Sequence, residues 1–310
     1  MFTGSITARQ FNCAMGLAVA VLVPVEVVLA RVVHLGGLLQ LLDVWPGLLL
    51  LAACLCYCMV RPIQKFVEVC ELTIWSVVLF DVLSVLVQIA GRSPRPLMDA
   101  ALSAVDGHMH LKTVSVVHLV ELIPGLPIFF QISYDLILPF MLAALFVPPL
   151  MGRAIESRRY LAAVTFAAIL TAILFALWPA VGPWTAQAIR PTKSQVGVTS
   201  YLLRLKSKAP VDIDERDAAI VSFPSFHVVL AILSATALGS FRRLRTGAWM
   251  LAALIGVSTV ATGWHYGIDL VGGVLVAAAS VVVARWATRG SYFAIEDAPM
   301  PLSLVLPEAG

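Results

Sequence analysis

Residues 222–233 read SFPSFHVVLAIL. A histidine, His227, stands at the head of a run that stays apolar from Val228 to Leu233. A second histidine occupies the same kind of place in GWHYGIDLVGG (263–273), where His265 precedes another apolar run. The surrounding chain says what such runs are. Apolar residues make up 60% of its 310 positions and charged residues 13%, with a mean hydropathy of +0.93. A soluble domain carries about 25% charged residues. The polar surface is too small to cover a water-soluble globule, so the composition predicts an integral membrane protein. The net charge of +3 is small and dispersed, which argues against nucleic acid as a partner.

Apolar runs of bilayer-spanning length lie near 12–33, 44–60, 72–90, 134–151, 160–179, 226–241, 247–264 and 268–287. The expected fold is therefore all-α, a polytopic membrane bundle of about eight transmembrane helices. The first run carries Glu26 and lacks a small-residue cleavage site, so it reads as a retained span. Basic clusters follow alternate runs: Arg61 and Lys65; Arg153, Arg158 and Arg159; Arg242, Arg243 and Arg245; Arg285 and Arg289. With eight spans, all four clusters and both termini share one side, which the positive-inside rule assigns to the cytoplasm. The other side receives two long segments, 92–135 and about 180–222. In the first, Leu97, Ala101, Val105, Val116, Val117 and Val120 have the spacing of an interfacial helix on the outer face.

Both histidines fall on that outer side. Ser222 is expected to cap the helix that follows, with Pro224 in its first turn. A helix N-terminus there aims unpaired amides at the face where a phosphate is attracted. His265 and Asp269 are four residues apart, one helical turn, so the carboxylate can fix one imidazole nitrogen and leave the other free. An antiparallel hairpin between positions 227 and 265 returns the two histidines to one face. That layout suits attack by His265 on phosphorus, with His227 serving the departing oxygen.

These residues resemble the type 2 phosphatidic acid phosphatase superfamily, in the branch that contains the inositol phosphorylceramide synthases. The superfamily pattern runs Lys-x6-Arg-Pro, Pro-Ser-Gly-His, then Ser-Arg-x5-His-x3-Asp. This chain has PSFH at 224–227 and STVATGWHYGID at 258–269, and HYGIDLVGG is like the inositolphosphotransferase form. Further similarity runs through PLMDAALSAVDG (96–107) and WPAVGPW (178–184). The resemblance covers about residues 90–287. It implies a six-helix catalytic core over 71–290, preceded by an extra pair of helices in 1–70 and followed by a mobile cytoplasmic tail, 291–310. It also implies that His265 is the nucleophile, Asp269 its orienting carboxylate, His227 the acid, and Ser225 a phosphate ligand.

Three positions depart from the pattern. Phe226 replaces the glycine, Thr259 stands where the arginine should be, and Pro183 occupies the lysine position before Arg190-Pro191. Arg190, Lys193 and Arg204 are the loop cations available instead, and Arg190 is taken as a phosphate ligand. The ring of Phe226 is expected to shape the lipid or acceptor pocket. Other features read as structural. Cys54, Cys56 and Cys58 diverge around a helix, and His108 and His110 diverge from Asp106, so no metal site is expected. Trp178, Trp184, Trp264 and Tyr266 fit an aromatic belt, and Asp135 is expected to cap the fourth span. Glu26 and Asp81 are membrane acids that serve either a path or a helix contact.

The expected activity is phosphatase or phosphotransferase action on a membrane lipid phosphate at the outer face of a bacterial inner membrane. The acceptor is water or a lipid alcohol, no cofactor is required, and no obligate protein partner is evident. A transporter and an inactive scaffold are the readings from other classes.

Overall fold

The structure, a computed structural model, describes residues 7–37, 45–60, 63–207, 209–213 and 220–289. The sequence expectations for Arg61 and for the tail 291–310 lie outside these residues. Helices α1 (Ala8–Val32), α2 (Trp45–Val60) and α3 (Gln64–Gly91) come first. Three short helices follow: α4 (Asp99–His108), α5 (Thr113–Glu121) and α6 (Leu126–Asp135). Then come α7 (Ile137–Leu150), α8 (Ala154–Leu177), α9 (Lys193–Lys206), α10 (Phe226–Leu238), α11 (Arg245–Ala261) and α12 (Gly267–Ala287). The strands β1 (Leu35–Gly36) and β2 (Val211–Asp212) form a small parallel pairing that ties the end of α1 to the loop after α9.

The protein is an all-α bundle of membrane-spanning character. Helices α1, α3, α8 and α12, and α6 with α7 taken together, are long and apolar enough to cross a bilayer, and α2, α10 and α11 are shorter apolar helices. These segments fall on the eight apolar runs, with one shift. The fourth begins at Leu126 instead of 134, because LPIFFQIS is itself apolar and α6 leads into α7 at Leu136. Asp135 therefore does not cap a helix start. It sits at the end of α6 and accepts a bond from Gln131 Nε2 at 3.1 Å.

Helices α8 and α10 form the middle of the bundle, with α7, α11 and α12 around them and α1 and α2 laid against α3. Small side chains make close packing feasible: Ala163, Ala167, Ala231, Ala235, Ala252 and Ala277 are all buried in the main cluster. A close approach between helices is at Gly273 of α12, where a β-carbon would lie 2.7 Å from the Ser225 carbonyl and 3.0 Å from Val228 Cβ. That approach sets the start of α10 against the start of α12.

The basic clusters share one end of the bundle. Arg158 of α8 lies 3.8 and 3.7 Å from Glu68 and Glu71 of α3. Arg153 donates to Ser240 O after α10 at 2.9 Å, and Arg159 Nε to Thr288 Oγ1 after α12 at 3.4 Å. The histidines lie at the other end. From a common level at Arg153 and Ser240, α8 rises about 36 Å and α10 only about 20 Å at 1.5 Å per residue. The mouth of α10, with His227, is thus sunk below the top of α8.

Candidate active site

The site is built on the turn between α11 and α12. Gly263 adopts φ +73°, a left-handed conformation that glycine tolerates without strain, and the chain reverses there. The amides of Trp264 and His265 both donate to Thr259 O, at 3.1 and 3.2 Å, which fixes His265 just before α12. The imidazole is buried, with 4% of its residue surface exposed. Its Nδ1 lies 2.9 Å from Ser222 O and 3.2 Å from Asp269 Oδ2. A peptide carbonyl only accepts, so Nδ1 carries the proton and Nε2 keeps its lone pair. His265 precedes the helix, so the i,i+4 contact is made across a helix start and not along a helix face. Asp269 Oδ2 gathers three donors there: the Tyr266 amide at 2.9 Å, Ser222 Oγ at 3.0 Å and His265 Nδ1.

Ser222 consequently does not cap α10. Ser225 occupies the N-cap position, and its amide donates to Asp269 O at 3.1 Å. The first amide of α10 bonded within the helix is Val229, to Ser225 O at 3.2 Å. Among the described residues, the amides of Phe226, His227 and Val228 are left as unpaired donors. Ser225 Oγ is buried and has no hydrogen-bond partner. His227 follows two residues later, its ring centroid 6.1 Å from that of His265. Tyr134 of α6 stacks on His227 at 4.2 Å, and its hydroxyl lies 3.4 Å from Nδ1. Trp264 lies beside Tyr134 at 6.2 Å, and Trp184 meets Trp264 edge-on at 5.5 Å. These rings wall the histidine pair. Tyr266 also leaves the expected aromatic belt: it is fully buried, with its hydroxyl bonded to Asp99 Oδ1 at 3.0 Å and Gly182 O at 3.1 Å.

Two carboxylates missed as functional groups hold this turn in place. Asp106 of α4 accepts from the Gly267 and Ile268 amides at 2.8 and 2.9 Å, capping α12 from outside its own sequence. Burial pushes its carboxyl up, and those two amides pull it back. Asp99 accepts from the Val181 and Gly182 amides and from Tyr266. Helix α4 thus turns Asp99, Leu102 and Asp106 inward, while Ala101 and Val105 of the apolar pattern face outward. His108 and His110 also face outward, away from Asp106.

Residues 100–283 match the PAP2 superfamily. No curated protein and no solved structure matches the chain. The chain belongs to the PAP2 superfamily. It is therefore a membrane protein of the phosphatase and phosphotransferase type, acting on lipid phosphate esters. Of the residues singled out in the sequence, His265, Asp269, His227 and Ser225 come together. The superfamily's arginine position, Thr259, is buried, and its hydroxyl turns back to Gly256 O at 2.7 Å. Pro183 is buried in a short 3₁₀ turn. Arg190 is exposed and makes no hydrogen bond or ion pair among the described residues, although Ile189 beside it packs near Gly263. Lys193 is exposed at the start of α9, and Arg204 lies over the Tyr201 ring, which bonds Gln88 of α3. The Phe226 ring packs against the apolar clusters that contain Leu233, Leu145 and Leu161, and its amide is one of the unpaired donors at the start of α10.

Two predictions arise from this PAP2 geometry. Burial lowers the His265 imidazole from 6.5 to about 4, against the raising effect of its bond to Ser222 O. The free enzyme then keeps a neutral His265 in mild acid, so the acid limb of kcat/KM that His265 sets is expected only below about pH 5. A pH–rate profile with an acid limb at the ordinary histidine value would contradict the burial. The unfolded chain takes up this proton near 6.5 and the folded one near 4, so stability declines as pH falls through the same window.

In Asp269→Asn, the Ser222 carbonyl still holds Nδ1–H, so the tautomer survives. The loss is one charge-assisted hydrogen bond, about 1.5–3 kcal/mol, or roughly a 10- to 100-fold drop in kcat. Steady-state kinetics on a lipid phosphate measures it; a drop of several orders more would mean that the carboxylate alone sets the tautomer.

Proposed function

We propose that the protein transfers the phosphoryl group of a lipid phosphate ester in two steps, through a phosphohistidine at His265. The single observation behind this reading is the committed proton on Nδ1, which leaves a buried Nε2 lone pair about one phosphoryl group away from a second histidine. In the first step Nε2 attacks phosphorus and the bond to the lipid alcohol breaks. His227, as imidazolium, gives its Nε2 proton to the departing oxygen while Nδ1–H faces Tyr134. The charge of a bound phosphate favours that imidazolium. In the second step His227 takes the proton of the acceptor hydroxyl, whose oxygen attacks phosphorus as the P–N bond breaks. Water as acceptor gives inorganic phosphate.

The equatorial oxygens carry negative charge in both steps and need donors. The amides of Phe226, His227 and Val228, with Ser225 Oγ, supply them at the N-terminus of α10. Arg190, next to Ile189, which packs near Gly263, screens the entering headgroup. The positive-inside rule gives the arginine end to the cytoplasm, so this site faces the outside of a bacterial inner membrane.

A second reading is head-group transfer to a lipid hydroxyl, in the manner of the inositol phosphorylceramide synthases. The recessed mouth and its wall of Tyr134, Trp264 and Trp184 favour it, since they narrow the path for water. The test is incubation with a phosphate-labelled lipid monoester and, separately, with a phosphate-labelled phosphodiester lipid in the presence of a ceramide or diacylglycerol. Acid-labile label on the protein, chased into phosphate or a phosphodiester lipid, is expected. Turnover with no protein-bound label under rapid quench would overturn the two-step scheme.

A further inference from the structure

We infer that the arginine end of the bundle holds a second site, one for the headgroup of an anionic phospholipid. A cavity of about 390 Å³ opens there between α8, α10, α11 and α12. Its mouth carries three guanidiniums, Arg159, Arg245 and Arg285, against one carboxylate, Glu156. The guanidiniums are only partly committed. Arg159 uses Nε on Thr288 and Nη1 on Glu156, each at 3.4 Å. Arg245 uses Nε on Gly239 O at 2.9 Å, and its two terminal nitrogens have no partner among the described residues. Arg285 makes no hydrogen bond or ion pair among the described residues.

Arg159 is half-buried, and Arg245 and Arg285 are exposed. These three come from separate helices and line one cavity, as a phosphate between two or more guanidiniums requires. The lining also carries apolar side chains, Leu233 of α10 and Val281 of α12, beside the hydroxyls of Tyr160 and Thr236, and Trp249 stands exposed among them. A soluble phosphate would need only the cations. Apolar side chains beside the cations, on helices of membrane-spanning character, match a ligand with a charged head and an acyl chain. Basic pockets between membrane helices take anionic headgroups in this way. The cavity touches the helices that carry His227 and Asp269, but at their far ends, so it is separate from the site of reaction.

A lipid that binds only the folded bundle raises its melting temperature. The test uses the full-length protein in neutral detergent, titrated with phosphatidylglycerol, phosphatidylcholine or inorganic phosphate. Phosphatidylglycerol is expected to raise the melting temperature of the wild type, and its apparent affinity is expected to fall at least about tenfold in Arg245→Gln/Arg285→Gln. An unchanged affinity in that variant would overturn the proposal, and so would an equal shift with phosphatidylcholine or with inorganic phosphate alone. If that variant does not fold, a second measurement with the two arginines in place still decides. Phosphatidylglycerol with brominated acyl chains should quench tryptophan fluorescence more than the brominated phosphatidylcholine does, and Trp249→Phe should remove that excess. Equal quenching by the two lipids, or an excess that survives Trp249→Phe, would sink the proposal.

Discussion

His265→Ala is expected to lower turnover by on the order of 10⁴- to 10⁶-fold, the range seen when a covalent nucleophile is removed. It should also abolish the acid-labile phosphoryl adduct. The size follows from what is lost. Nε2 is the only nucleophilic nitrogen that the turn presents with its partner nitrogen already spoken for by Ser222 O. Alanine leaves Asp269 with two of its three donors, Tyr266 N and Ser222 Oγ, so the turn itself should persist. A melting curve near that of the wild type would verify this. The decisive measurement is label on protein after rapid quench, wild type against variant. A phosphoryl adduct that survives in His265→Ala would remove His265 from the chemistry. Turnover that survives without an adduct would point to direct attack by water.

The fold was legible because hydropathy is a bulk signal: eight apolar runs became five long and three shorter apolar segments. The pairing of His227 with His265 was legible for a topological reason, since a hairpin of two helices returns both to one end. The supporting groups were harder to read. Asp106 bonds amides more than 160 residues away, and nothing in DAALSAVDGH marks which carboxylate faces the protein. The apolar spacing in α4 identified the outward-facing side, because at an interface the lipid takes the apolar face and the protein takes the acids. Buried acids at helical spacing, Asp99 and Asp106 seven apart, were the available clue. Ser222 looked like a helix cap because serine before a proline-containing turn usually is one. The helix instead begins three residues later, since the Ser225 amide is drawn to Asp269 O and Ser222 Oγ to the Asp269 carboxylate. Tyr134 carried no sequence signal of its own, and its place beside His227 follows from the packing of α6 on α11.

His227→Asn should separate the acid from the nucleophile. Its effect depends on the leaving group, whereas the effect at His265 does not. A lipid alcohol departs as a strongly basic alkoxide unless it is protonated in the transition state, and a positioned acid contributes about 10²- to 10⁴-fold to such a step. An aryl phosphate such as p-nitrophenyl phosphate departs as a stable anion and needs little help. Asparagine keeps a polar side chain at the start of α10 and leaves the Phe226, His227 and Val228 amide positions in place, so phosphate binding should be retained. The expected result is a loss of about 10²- to 10⁴-fold in adduct formation with a lipid monoester, and a much smaller loss with the aryl ester. In the proposed second step His227 also deprotonates the acceptor, so the adduct formed from the aryl ester should accumulate in the variant and decay slowly. Equal losses for both esters would mean that His227 holds the phosphate and moves no proton. The stacking partner gives an independent check. Tyr134→Phe keeps the ring against His227 at 4.2 Å but removes the hydroxyl near Nδ1, so it should reproduce the leaving-group dependence in weaker form. If Tyr134→Phe slowed both esters alike, the hydroxyl would be acting on the phosphate instead of on the imidazole.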